Sequence, residues 1–208
     1  MVPTFPTIAR MMAHARDLDF GRHRDMHMAT STHRWKREDL DRLPDDDGNR
    51  YEIIDGELLV TPAPRPAHEI IIEELGWRLD AYCQRFEIGL AYRGNSAVVT
   101  PSSHVEPDIV VRRRVIRAPE TWDEMPLPIL VVEVLSESTR RNDLVKKRAF
   151  YMSVGIAEYW IVDPDARNVL VITPAGQRVE TGRLRWRPVS DHPSLEIDFS
   201  VLFENILG

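Results

Sequence analysis

The segment Ile129-Leu130-Val131-Val132-Glu133-Val134-Leu135 places one carboxylate inside an otherwise apolar run. A short apolar run bounded by loop signals reads as a strand buried on both faces. An ionised carboxylate left alone there would be costly, so Glu133 must be paired, protonated or bound to a cation. Upstream, Glu106-Pro107-Asp108 leads directly into Ile109-Val110-Val111, putting a second acid at the end of a second apolar strand. Two such acids, with lysines soon after, point to a divalent-metal site. Magnesium takes hard oxygen ligands, commonly one or two carboxylates with water and substrate phosphate. Asp108 and Glu133 meet that need if their strands are neighbours.

The chain has 208 residues, room for one domain with a real core or one domain plus a tail. No apolar run approaches the ~20 residues of a membrane span. The single cysteine, Cys83, excludes an internal disulfide framework and a multi-cysteine zinc site, and a reducing, cytoplasmic setting fits best. The formal net charge of -6 does not favour nucleic-acid binding by the molecule as a whole, so such a role needs a local basic patch.

Residues 1–34 differ from the rest, with five methionines, four histidines and no sustained period. They lack the apolar core and cleavage site of a targeting peptide. A flexible extension is expected, and a true start at Met26 or Met28 is an alternative. The domain is expected over 35–208.

That domain opens with a short helix at Trp35–Leu40. Asp55-Gly56 between apolar runs predicts a two-residue hairpin loop, with Ile54 opposite Glu57 and Glu52 opposite Leu59. Glu52 and Glu57 then share a face. A helix is predicted over 67–86, since Ile71, Leu75, Leu79, Tyr82 and Phe86 form an amphipathic stripe that His68 extends. Strands are expected near 88–93 and 96–100, with a turn at Gly94-Asn95, and again at 105–111 and 129–135. A helix over 140–153 starts after Ser136-Glu137-Ser138-Thr139 and stops at Gly155. In it Asp143, Lys147 and Tyr151 recur every four residues and share one face. Strands at 158–162, 169–173 and 178–184 follow, the last pairing with its predecessor. Residues 194–199 and a terminal helix close the chain.

Phosphodiester hydrolysis needs a cation on the phosphate, an activated water and in-line geometry. A lysine near the cation can orient the water or stabilise the developing anion. In a Glu-x-Lys arrangement that lysine would stand at 135, where this chain has Leu135. Lys146 and Lys147 are the nearest substitutes, and the shared face with Tyr151 favours Lys147.

Several segments occur together and in order: Tyr51-Glu52-Ile53-Ile54-Asp55-Gly56-Glu57, His68, Pro107-Asp108, Val132-Glu133-Val134-Leu135-Ser136-x-Ser138-Thr139, Asp143-x-x-x-Lys147-x-x-x-Tyr151, and Glu158-Tyr159-Trp160-x-Val162-Asp163-Pro164. In this the chain resembles the Uma-two family of "putative restriction endonucleases", over about residues 35–175. That family is similar to the PD-(D/E)XK nucleases. The resemblance implies an α/β fold, with a restriction-endonuclease-like mixed sheet flanked by helices. It implies an endonuclease acting on DNA with Mg²⁺, or Mn²⁺ as substitute. Asp108 and Glu133 would be metal ligands, Glu52 or Glu57 an added acid, Lys147 the displaced catalytic lysine and His68 a contact to phosphate or metal-bound water. It further implies a homodimer, while the lack of a ~20-residue apolar run argues for no membrane partner. Glu137 stands where the family commonly has proline.

Each residue also has a plainer reading. Glu133 could reach solvent from a strand end, and Asp108 could open a strand. Lys147 could be a solvated helix residue, His68 a half-covered helix start, and Glu52 and Glu57 the polar face of a hairpin. Tyr159 and Trp160 read as sheet core. The alternative to an enzyme is a non-catalytic nucleic-acid or protein-binding module that keeps the fold.

Overall fold

The Asp55-Gly56 turn forms as expected, with both residues at positive φ (49° and 79°), the pattern of a type I′ hairpin. It joins β1 (Asn49–Ile54) to β2 (Glu57–Pro62), and Glu52 lies opposite Leu59. This computed structural model describes residues 33–44, 47–94 and 96–208. The expected extension lies outside the described residues except for its last two positions, and so do Asp45, Asp46 and, in the expected Gly94-Asn95 turn, Asn95.

A short helix, α1 (Arg37–Leu40), precedes the hairpin. After it, α2 (Pro66–Arg85) starts with proline in its first turn, where the missing N–H costs nothing. It buries Ile71, Ile72, Leu75, Leu79, Tyr82 and Cys83 along one side. The strands β3 (Gly89–Arg93), β4 (Val98–Thr100), β5 (Ser103–Val105), β6 (Ile109–Arg113) and β7 (Leu130–Val134) follow. The segment expected as one strand over 105–111 is therefore two. Glu106-Pro107 separates them, and proline cannot donate to a ladder.

After β7 the chain makes a π-helical turn, Asn142–Lys147, that runs into α3 (Arg148–Ser153). Then come β8 (Tyr159–Asp163), β9 (Asn168–Thr173), β10 (Gly176–Glu180), β11 (Arg183–Trp186), β12 (Leu195–Asp198) and α4 (Phe199–Leu207). The strand expected over 178–184 is split at Thr181-Gly182. Its first part pairs with β9, while its second pairs with β12 in a separate ribbon.

The main sheet has the order β10-β9-β8-β7-β6-β3. Only β7 and β8 run parallel, bridged by the π turn and α3; the other pairs are antiparallel. This is the mixed sheet with flanking helices that the sequence implies. A second sheet, β2-β1-β5-β4, is antiparallel throughout. Alternation along β7 sends Val132 and Val134 to one face and Val131 and Glu133 to the other. On the first face Val132, Val134 and Trp160 pack against α2, α4 and Trp186. On the second, Val131, Ile161 and Tyr159 pack against α3 and the smaller sheet. Tyr159 and Trp160 are fully buried core.

Gly89 allows β3 to lie close against β6. A Cβ there would stand 1.8 Å from the carbonyl oxygen of Arg112. Arg112 itself is buried. It donates to the carbonyls of Ala97 (2.6 Å) and Pro126, and stacks over Trp122 at 5.6 Å. Burial lowers its pKa to about 10. Its guanidinium ties the β6–β7 loop to the smaller sheet.

No helix among the described residues is long and apolar enough to cross a membrane. Cys83 is buried in the α2 core, and burial pushes its thiol up to about 12. A thiol must ionise to react, so an alkylating agent near pH ~8 should leave the folded protein unlabelled and label it fully in denaturant. Mass spectrometry reads this directly; fast labelling of folded protein would contradict the packing.

Candidate active site

The register of β6 on β7 fixes the heart of the site. Ile109 lies opposite Val132 and Val110 opposite Val131. One further step sets Asp108 opposite Glu133, and opposed residues share a face. The Val134 N–H closes this end of the pair by donating to Asp108 Oδ2 at 2.8 Å. The third acid comes from the other sheet. Glu52, on β1, accepts the Glu106 N–H at Oε1 (2.8 Å) and faces the same space.

Lys147 joins two of these acids to a fourth, Asp143. Its Nζ lies 3.0 Å from Glu133 Oε1, 3.0 Å from Glu52 Oε2 and 3.7 Å from Asp143 Oδ1. Tyr151 donates to the same Glu133 oxygen at 2.8 Å. Asp143, Lys147 and Tyr151 do share one buried face, but the π turn gives that face its shape. Such wide turns recur at functional sites. Glu52, Asp108, Glu133 and Lys147 are only 1–4% exposed. They line a cleft of about 220 Å³ together with Arg50 and His68.

Two expected residues take different places. Glu57 shares the face of Glu52, but it lies at the hairpin tip, is largely exposed and pairs with Lys146. It does not join the cluster, because two residues along a strand move a side chain about 6–7 Å. His68 is at the cleft, yet its Nε2 is engaged by Val134 O at 2.8 Å and Asp108 Oδ2 at 3.4 Å. Both neighbours are acceptors, so Nε2 carries a proton. His68 holds Asp108 rather than offering a lone pair to the cleft.

The sequence reading missed Arg50. Its Nη1 donates to Asp108 Oδ1 and to Glu106 O, each at 3.2 Å. The available signal was its position two residues before Glu52, on the same side of β1. It also missed the pairing of Arg140 with Asp163 at 2.7 and 3.0 Å, which anchors the start of the crossover to the end of β8.

The ionisation pattern follows from this packing. Burial alone would raise Asp108, but donation from His68 and the charges of His68, Arg50 and Lys147 outweigh it and hold the carboxyl at about 2. Burial raises Glu133 well above the usual carboxylate range despite Lys147, with Asp108, Asp143 and Glu52 adding repulsion. Burial likewise lifts Asp143 to about 6. Burial opposes the charge on Lys147, yet the surrounding acids win and its pKa is raised. The surrounding acids thus favour the ammonium form of Lys147.

Four acids (Glu52, Asp108, Glu133, Asp143) thus meet two permanent cations, Lys147 and Arg50. Asp143 Oδ1 is buried without a hydrogen bond. This surplus of hard, negative oxygen fits a divalent cation. The fit is to two carboxylates rather than four. Glu52 is held by the Glu106 N–H and by buried Lys147, Glu57 is elsewhere, and among the described residues no three His, Cys, Asp or Glu side chains converge on one point. Asp108 and Glu133 remain: the partner of Asp108 Oδ1 is the part-exposed Arg50, and Glu133 Oε2 takes no hydrogen bond among the described residues.

Comparison with known proteins agrees with this architecture. A putative nuclease belonging to DUF820 from Anabaena variabilis ATCC 29413 has a similar structure, with a TM-score of 0.70 at 20% identity, covering 83% of this chain and 99% of that one. At that identity the likeness speaks to the fold. No curated protein matches the chain. Residues 37–201 match the model of the Uma2 family, described as "Putative restriction endonuclease", and the chain belongs to that family.

Proposed function

We propose that the cleft hydrolyses phosphodiester bonds in DNA as a divalent-metal-dependent endonuclease. The observation that carries this reading is the meeting of Asp108, Glu133 and Lys147 in one cleft from three separate elements. Asp108 and Glu133 would hold Mg²⁺, or Mn²⁺ in its place. The bound ion would supply charge neutralisation on the phosphate and a more acidic water.

The chain's own groups have separable tasks. Lys147 and Tyr151 fix Glu133 Oε1, which leaves the other oxygen for the cation. The Lys147 ammonium adds a fixed positive charge where negative charge grows during attack. Glu52 holds Lys147 in place. His68 and the Val134 N–H keep Asp108 ionised and oriented. Cutting both strands requires two such clefts, so a homodimer is the expected acting species.

Purified protein should nick or cut plasmid DNA with Mg²⁺ or Mn²⁺ and stop in EDTA. Glu133→Gln should lower the rate by at least about 100-fold, a typical scale for losing a charge-stabilising group. Equal cutting by wild type and Glu133→Gln would mark the activity as a contaminant's and remove the claim.

The internal ion pairs favour one other reading. Lys147 already pairs with Glu133 and Glu52, and Arg50 with Asp108. A non-catalytic binding module would need nothing more. Calorimetry separates the two: Mn²⁺ binding that disappears in Asp108→Asn and Glu133→Gln supports the enzyme, and its absence from wild type supports the module.

A further inference from the structure

Arg50 stands at the mouth of the cleft with a divided role. Only Nη1 is engaged, by Asp108 Oδ1 and Glu106 O. Among the described residues Nε and Nη2 have no hydrogen-bond partner, and the side chain is 31% exposed where that of Asp108 is 4%. Those two nitrogens form the side-on fork that matches two oxygens of a phosphate. The rest of the lining is hostile to such a ligand, since Glu52, Asp108 and Glu133 line the cleft and Lys147 already pairs with two of them and with Asp143. Asp108 Oδ1 is also an oxygen that a cation would claim. A guanidinium and a divalent ion at adjacent positions repel each other strongly in a site this dry.

The geometry points to Arg50 as a competitor and a reader at once: it contends with the divalent cation for Asp108 Oδ1, and once displaced it grips a non-bridging oxygen of the substrate phosphodiester. This rests on the nuclease reading above and assigns the substrate contact that reading leaves open. Arg50 lies on β1, two residues from Glu52, so a small rotation about its long side chain suffices and the backbone need not move. The exchange also links the two ligands. Cation binding releases Nη1 and lets the guanidinium turn its fork to the phosphate, and a phosphate on the fork leaves Asp108 to the cation, so each favours the other.

Mn²⁺ binding by calorimetry without DNA, and duplex binding by fluorescence anisotropy with Ca²⁺ in place of Mg²⁺, test this without reading cleavage. Arg50→Met should bind Mn²⁺ more tightly and the duplex about 10-fold more weakly, with the salt dependence reduced by about one phosphate contact. Arg50→Lys keeps a charge beside Asp108 but has no fork. It should bind Mn²⁺ like wild type and still bind the duplex more weakly. A merely structural arginine would weaken both ligands together. Mn²⁺ binding no tighter in Arg50→Met, or duplex binding no weaker in either variant, overturns the proposal. Should Arg50→Met fail to fold, the Arg50→Lys pair of measurements decides alone. Wild type that binds no Mn²⁺ is a different failure, since it removes the metal-dependent reading and this one with it.

Discussion

Lys147→Met should lose about 3–5 kcal/mol of stability near neutral pH, the usual consequence of stripping one partner from a buried ion pair. The ammonium is the shared counter-charge of Glu133, Glu52 and Asp143. Methionine fills much of the same space, so lost packing is a minor part. The loss should depend on pH in a defined direction. Glu133 and Asp143 already have folded pKa values above their unfolded ones, and removing Lys147 lifts both further. A carboxyl with a raised folded pKa holds its proton better in the folded state. Its stabilising effect is complete below the unfolded pKa, about 4, and is lost as pH rises through the folded value. The gap between variant and wild type should therefore be small near pH ~4 and widen through pH ~6 and above. Urea unfolding at several pH values measures it. Cleavage should fall by at least about 100-fold under conditions where the variant remains folded. Adding Glu133→Gln should recover much of the stability and none of the activity. A Lys147→Met protein as stable as wild type at neutral pH would mean the ammonium is not where the ion pairs put it.

Trp160→Ala should cost a similar amount, about 3–5 kcal/mol, by a different route. Trp160 is fully buried on β8, at the centre of the sheet. It meets Trp186 edge-on at 6.1 Å between centroids and donates its Nε1–H to Glu158 at 2.8 Å. Alanine leaves a large void beneath the β11–β12 ribbon and removes one of the donors to Glu158. For a chain of this size the melting temperature should drop by roughly 6–20 °C. Trp160 points to the α2 side of the sheet, while its neighbour Ile161 lies beside Glu133. The proposed Mn²⁺ binding, measured well below the melting point, should therefore stay near wild type. Equal losses of affinity and stability would show that the two faces are not independent.

Local features were readable from the chain and distant pairings were not. Asp55-Gly56 forces positive φ at two positions, so the hairpin and its register follow from four residues. Glu133 stood out because an acid in an apolar run has few physical options, and all of them involve partners. The helical stripe from Ile71 to Tyr82 carried its own period. Arg50, by contrast, looks like any polar residue of a strand until β1 is set against the loop before β6. Nothing local dictates that meeting. Arg112 reads as part of a basic run because its two carbonyl partners come from remote segments. Glu57 and Glu52 share strand parity, yet parity says nothing of distance along the strand, and that distance decides which one meets Lys147. The split of 178–184 escaped because both halves alternate alike, and only the ribbon with β12 separates them.

The cleft draws Glu52 from one sheet, Asp108 and Glu133 from the other, and Lys147 from the crossover that the parallel β7–β8 pair requires. No single hairpin contains two of the three contributions. During refolding, a species with either sheet alone has backbone order but no assembled charge cluster. The proposed cleavage activity should thus emerge as one of the last events, later than the circular dichroism of the strands, and its lag would time the docking of one sheet onto the other.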